Sequence, residues 1–151
     1  MAGNLSHTPA EIVAQLMRLW DPTLLVYDTN EPDQYDLVTT VYDTEGRSDG
    51  RAMVDGELWD HVGIQARIRS SQHLDGERLA NRIRTFWAQS INQAVIGMLN
   101  DDGTPDGSRY LIWCLSKIGQ VICIGKNVPP TKRSIFTINA LTTIDELAPP
   151  N

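Results

Sequence analysis

Two cysteines are all that the 151 residues contain, which excludes a disulfide scaffold. Cys114 and Cys123 fall in apolar segments that read as strands, where reduced thiols ordinarily pack as small core groups, as in a cytosolic protein. Whether they face each other across a turn depends on its type, and buried packing rather than redox chemistry is their expected role. Missing too is any apolar run near the ~20 residues that a bilayer span requires. The opening Met1-Ala2-Gly3-Asn4-Leu5-Ser6 has no basic cluster ahead of an apolar stretch. The protein is therefore expected to stay in the compartment where it is made, with Asn4-Leu5-Ser6 a chance glycosylation sequon. Positive charge is scarce: 13 Lys and Arg oppose 19 Asp and Glu, a net −6. A surface of that sign repels phosphate, so tight non-specific nucleic-acid binding needs a local basic patch, while DNA can still pass nearby without sticking.

Reactive patterns are equally sparse. The three histidines, His7, His61 and His73, have no H-x-x-H or C-x-x-C spacing around them, so a zinc site is not expected. His61 opens a strand on its polar face and reads as a solvated or interface side chain rather than a catalytic base. The Asp/Gly-rich stretches 43–57 and 101–107 suggest a hard cation. Counted from Asp101 or Asp102, however, the twelfth position is Ile112 or Trp113, where an EF-hand needs Glu. Turn formation is the better account. With no Gly-rich phosphate loop, no G-x-S-x-G and no paired carboxylates on a common face, the sequence nominates no catalytic residue, cofactor or metal.

What is present is globular: 41% hydrophobic and 21% charged residues, in a chain long enough to bury roughly two-thirds of its unfolded surface. Thr8-Pro9-Ala10-Glu11 combines an N-cap, a first-turn proline and a capping-box Glu. It predicts a helix to about residue 20 with one apolar face, ended by Asp21-Pro22. A short strand is expected at 24–27, a loop at 28–34 and a β-branched strand at 37–42. Residues 43–60 are too polar for a core element and form a long flexible loop or projecting hairpin, a type of segment that usually serves binding.

Residues 61–69 alternate, with Val62, Ile64, Ala66 and Ile68 on one face and His61, Gln65, Arg67 and Arg69 on the other, and give the clearest strand. After a turn, a helix to about residue 90 buries Leu79, Ala80, Ile83, Phe86 and Trp87. Beyond the 101–107 turn, 110–115 and 120–124 read as a mid-sheet hairpin, apolar on both faces. A basic loop at 125–133 leads to a last strand at 134–143, and 145–151 reads as a frayed tail. Residues 1–151 are thus expected to form a single α+β domain: a mostly antiparallel sheet of four to five strands packed with two main helices. Arg67 with Arg69, and Lys126 with Lys132 and Arg133, could meet phosphate or an acidic partner, although a solvated face is the commoner use of such charges.

The run 61–87, an alternating strand ending in Arg67-Ile68-Arg69, a short turn and then Asp75-Gly76-Glu77-Arg78-Leu79-Ala80-Asn81-Arg82-Ile83-Arg84, resembles the tail terminator proteins of long-tailed, siphovirus-like bacteriophages. The likeness extends over about 8–145. It takes in the N-terminal helix, the strand and polar loop before this core, Ile124-Gly125 near the last turn and the final alternating strand. The chain departs from many relatives in its length, with extra residues at 91–109 and beyond 145.

The resemblance implies a homohexameric ring that caps the tail tube, stops its growth and presents a docking surface to the head connector. It implies a virion protein of the tail or neck, assembled in the host cytoplasm and without enzymatic activity. Partners would be further copies of itself, the tail tube protein and the head–tail connector protein, with double-stranded DNA crossing the lumen without specific binding and no membrane. On that reading Arg67, Arg69 and Arg82 are expected at contacts, and Met53, Val54, Leu58 and Trp59 give the 43–60 segment a surface that orders against a neighbour or the tube. The alternatives are a head-completion (stopper) or connector subunit, a small ligand-binding module, and a minor enzyme using His61 with loop carboxylates.

Overall fold

The computed structural model describes residues 5–51, 58–126 and 133–148. Thr8 caps α1 (Pro9–Trp20) as its sequence predicts: its side chain accepts from the Glu11 N–H at 3.2 Å, and the Glu11 carboxylate accepts from the Thr8 N–H at 2.6 Å. Asp43 adds a long-range cap, accepting from the Ala10 N–H at 2.9 Å. The helix was expected to bury one face. It buries Ala10, Ile12, Val13, Ala14, Gln15, Leu16 and Met17, positions that point in nearly every direction, so α1 is enclosed along most of its length. Leu19, which helical spacing places with Ile12 and Leu16, is exposed.

The remaining elements are β1 (Val26–Asp28), β2 (Val38–Arg51), β3 (Leu58–Ser70), α2 (His73–Gln89), β4 (Asn92–Leu99), β5 (Pro105–Ser116), β6 (Ile122–Lys126) and β7 (Ser134–Leu147). The architecture is α+β, with two helices and a seven-stranded sheet among the described residues, more strands than the four to five expected. Strand order is β1-β2-β3-β7-β5-β4, with β6 also on β7, and only the β1–β2 pairing is parallel.

Several expectations are corrected. β5 and β6 do not form a hairpin with each other. Both pair with β7, β6 along Ser134–Thr137 and β5 along Leu141–Leu147. The 14-residue β7 is long enough to hold two partners end to end on one edge and β3 on the other. Cys114 and Cys123 consequently do not face each other, and both thiols are free and exposed rather than buried. β7 runs on to Leu147, so 145–147 is paired strand and not frayed tail. β4 has no counterpart in the sequence reading; it pairs antiparallel with β5. Of the two forms expected for 43–60, a loop or a projecting hairpin, the described flanks take the second, extending β2 and β3 into a long hairpin.

The sheet has two unlike faces. Val41, Ile64, Ala66, Ile68, Phe136, Ile138, Ala140, Ile112 and Tyr110 line the helix side, where α2 lays down Leu79, Ala80, Ile83, Phe86 and Trp87. Helix and strand approach closely at Gly76, where a Cβ would lie 2.9 Å from both the Phe136 ring and Ser70 Cβ. All these residues belong to one continuous hydrophobic cluster with α1. The other face is open and polar at its centre, where the Gln65 amide donates to Asn139 at 3.0 Å.

Candidate interaction surfaces

Arg67 and Arg69 project from the open face of β3, as period-two alternation requires. The structure turns them to an internal use. Arg69 is only 2% exposed. Its guanidinium donates to the carbonyls of Pro32 and Tyr35, the latter at 3.0 Å, and lies 3.6 Å from Glu31 and 3.5 Å from Asp33. Arg67 lies 3.7 Å from the same Glu31 oxygen. Residues 29–37, which carry the chain from β1 to its parallel neighbour β2, are thus strapped across this end of the open face, and Tyr35 stacks on Tyr27 with centroids 6.1 Å apart. Arg133 fastens the same strap, donating to the Asp33 carbonyl at 2.7 Å and pairing with Asp36 at 3.1 Å. Burial, followed by the negative charge of Glu31, raises the Tyr42 hydroxyl above its ordinary range.

Beyond the strap and the polar centre, the open face carries exposed apolar side chains. Val95, Trp113 and Ile122 are 53%, 41% and 51% exposed. Registers β4–β5 and β5–β7 align Val95 with Leu111 and Leu111 with Asp145, and the Trp113 indole donates to that Asp145 at 2.7 Å. Ile124 is also exposed. The sequence marked 110–124 as apolar on both faces but gave no means of telling a covered face from a bare one, because β5 and β6 turned out not to be partners.

Arg82 leaves the exposed side of α2 to pair with Asp21 at 3.2 Å, and its guanidinium sits 5.5 Å from the Trp20 ring centroid. Trp20 stacks on Phe86 at 4.1 Å with an 11° interplanar angle. Together with Arg78, Asn81, Thr85 and Ser90 they line a groove of about 630 Å³ between the end of α1 and α2. Asp21 is held below the ordinary carboxylate range, first by the Thr23 hydroxyl and N–H and then by Arg82.

The β2–β3 hairpin forms an arm. Val62 is the first β3 residue to pair with β7, and residues 58–61 have backbone partners on β2 alone. Leu58 and Trp59 are the first residues of β3, opposite Arg51 and Gly50; Met53 and Val54 lie outside the described residues. His61, at the base of the arm, lies 2.9 Å from the Thr143 hydroxyl.

A polar cleft of about 610 Å³ beside α1 is lined by Glu11, Arg18, Asp28, Asp101 and Asp102 among others. At its rim His7 bridges the Tyr110 hydroxyl at 2.7 Å and Asp106 at 3.0 Å, a trio that sequence spacing did not suggest. Burial and then Glu146 raise the Tyr110 hydroxyl. The turn expected over 101–107 ends before Pro105, where β5 begins, so Asp102 lies in the turn and Asp106 in the strand. Asp102 accepts from the Thr104 hydroxyl and N–H at 2.6 and 2.9 Å, and Asp106 from the Ser108 N–H at 2.7 Å. Among the described residues no group of three His, Cys, Asp or Glu side chains is placed to hold a metal, and no helix is long and apolar enough to cross a membrane.

No family model matches the chain, and no curated protein matches it.

Proposed function

We propose that this protein is an assembly subunit, a tail terminator that closes into a homohexameric ring on the end of a phage tail tube and joins the tube to the head connector. The observation that carries the reading is the open sheet face: Val95 on β4, Trp113 on β5 and Ile122 on β6 stand exposed, and β4 is an edge strand with no second partner among the described residues. Exposed apolar sheet surface next to an unpaired edge is a liability in a monomer and an asset in an assembly. The β2–β3 arm supports it independently, since a two-stranded ribbon reaching beyond its sheet is only marginally stable in water and gains from a neighbour. The resemblance of 61–87 to tail terminators supplies the identity of the assembly. In a cyclic ring each subunit offers two different patches; the arm is one of them, and the open face is left for the tail tube or the connector. The net charge of −6 suits a ring through which DNA slides, because contact would release few counterions.

Negative-stain imaging of the purified protein, alone and with assembled tail tubes, tests the proposal. Six-fold rings seated on one end of the tubes are expected. Rings that ignore tubes and bind the portal side would replace this reading by a stopper or connector subunit. A monomer or dimer that ignores both, with a melting temperature that rises on ligand addition, would replace it by a binding module.

A further inference from the structure

The exposed residues of α2 are not evenly mixed in charge. Arg78, Asn81, Arg82 and Thr85 follow one another at i, i+3, i+4 and i+7 and so form a single stripe, exposed along its whole length. It contains two arginines and no acid, while the acids of this helix, Asp75 and Glu77, lie towards its start. Beneath the stripe the groove floor is the Trp20–Phe86 stack. Arg82 is partly engaged by Asp21; Arg78 has no ion pair among the described residues. The groove therefore offers an apolar floor and a cationic wall, a combination that suits an acidic segment carrying apolar side chains.

This chain contains such a segment. Residues 44–60, beyond the Asp43 cap, hold five carboxylates against two arginines, interspersed with Met53, Val54, Leu58 and Trp59, so three of the six net negative charges of the protein are concentrated there. On β2, Glu45 is exposed and the strand continues through Asp49 to Arg51. Nucleic acid fits the groove less well. Two arginines make a weak phosphate site, and the Trp20 ring is already stacked on Phe86 and overlaid by Arg82 rather than free to stack a base.

We infer that the groove between Trp20 and the Arg78–Thr85 stripe of α2 receives the acidic β2–β3 arm of a second copy of this chain. The contact is head-to-tail: the arm of one copy meets the groove of the next, and repetition closes a ring. The inference rests on the ring reading proposed above and names the surfaces that build it.

Charge reversal tests it. Arg78→Glu with Thr85→Glu makes the groove acidic without touching the Arg82–Asp21 pair; Glu45→Lys with Asp49→Lys takes residues 44–60 from a net −3 to +1 and spares the Asp43 cap. Each double variant, checked for folding by its melting transition, is compared with the wild-type chain by analytical ultracentrifugation at low and high salt. The wild type is expected to self-associate. Each variant should do so at least about 10-fold more weakly, as opposed charges at a contact become like charges. Mixing the two variants should restore the wild-type species, because acidic arms then meet basic grooves and basic arms meet acidic grooves alternately around the ring. Wild-type self-association that neither variant alters, or that mixing fails to restore, would overturn the arm-to-groove contact and leave the ring itself standing. A wild-type chain that stays monomeric would overturn the contact, with the terminator reading then decided separately by whether the protein caps tail tubes. An arm or groove variant that assembles normally but no longer caps tubes would transfer the surface concerned to the tail tube protein.

Discussion

Arg69 shows how a single charged side chain can be misassigned when only its place in the strand alternation is known. It belongs to the polar face of β3, yet a strap from residues 29–37 closes over it and supplies Glu31, Asp33 and two carbonyls. Removing one partner of a buried charge cluster leaves the other unpaired, so Arg69→Ala should cost about 3 kcal/mol. Urea unfolding midpoints measure this, and a loss below about 1 kcal/mol would show that the strap is held by other contacts. Asp102 and Asp106 give a pH-dependent counterpart. The Thr104 hydroxyl and N–H hold Asp102, and the Ser108 N–H followed by His7 holds Asp106, below the ordinary carboxylate range. A carboxylate whose folded pKa is depressed adds stability above its unfolded value of about 3.9, and that stability is lost as pH falls through the lower folded value. Asp102→Asn with Asp106→Asn should therefore lower the melting temperature near neutral pH and converge on the wild type towards pH 2. A gap of constant size over the whole pH range would contradict this.

At the scale of elements, the arm depends on close backbone packing at its base. Gly63 pairs with Thr44 at the edge of a register shift in β2–β3, and a Cβ there would collide with the Glu45 carbonyl oxygen and the Thr44 hydroxyl. Gly97, on the same open side of the sheet in β4, has only the Ser108 carbonyl oxygen within reach, at 3.9 Å. Gly63→Ala should thus destabilise by about 1–3 kcal/mol, the usual cost of overpacking, while Gly97→Ala should be near neutral. Equal effects in matched denaturation curves would mean that the arm base relaxes freely. The capping box, by contrast, was legible in four consecutive residues, because a cap is satisfied by its own neighbours.

For the whole molecule, the arm lies apart from the core. Among the described residues the buried apolar positions on β2 end at Val41 and those on β3 begin at Ile64. Replacing residues 47–60 with an Asn-Gly turn should leave the melting temperature within about 5 °C of wild type and, on the terminator reading proposed above, abolish joining of heads to tails. An unchanged yield of joined particles would show the arm to be dispensable for assembly.

Local order is what the sequence by itself determined: the presence of both helices, the buried residues of α2, the alternation in 61–69, the turn before β5, and the α+β class. These are set by interactions within a few residues, so spacing and capping reveal them. Only the tertiary structure decided which strands pair, that one long strand separates β5 and β6 from β3, that Arg67 and Arg69 bind a strap rather than facing outward, and that the apolar residues at Trp113 and Ile122 stay bare. Those outcomes depend on contacts between residues far apart in the chain. Alternation assigns a side chain to a face of the sheet, but what lies over that face depends on where the rest of the chain runs.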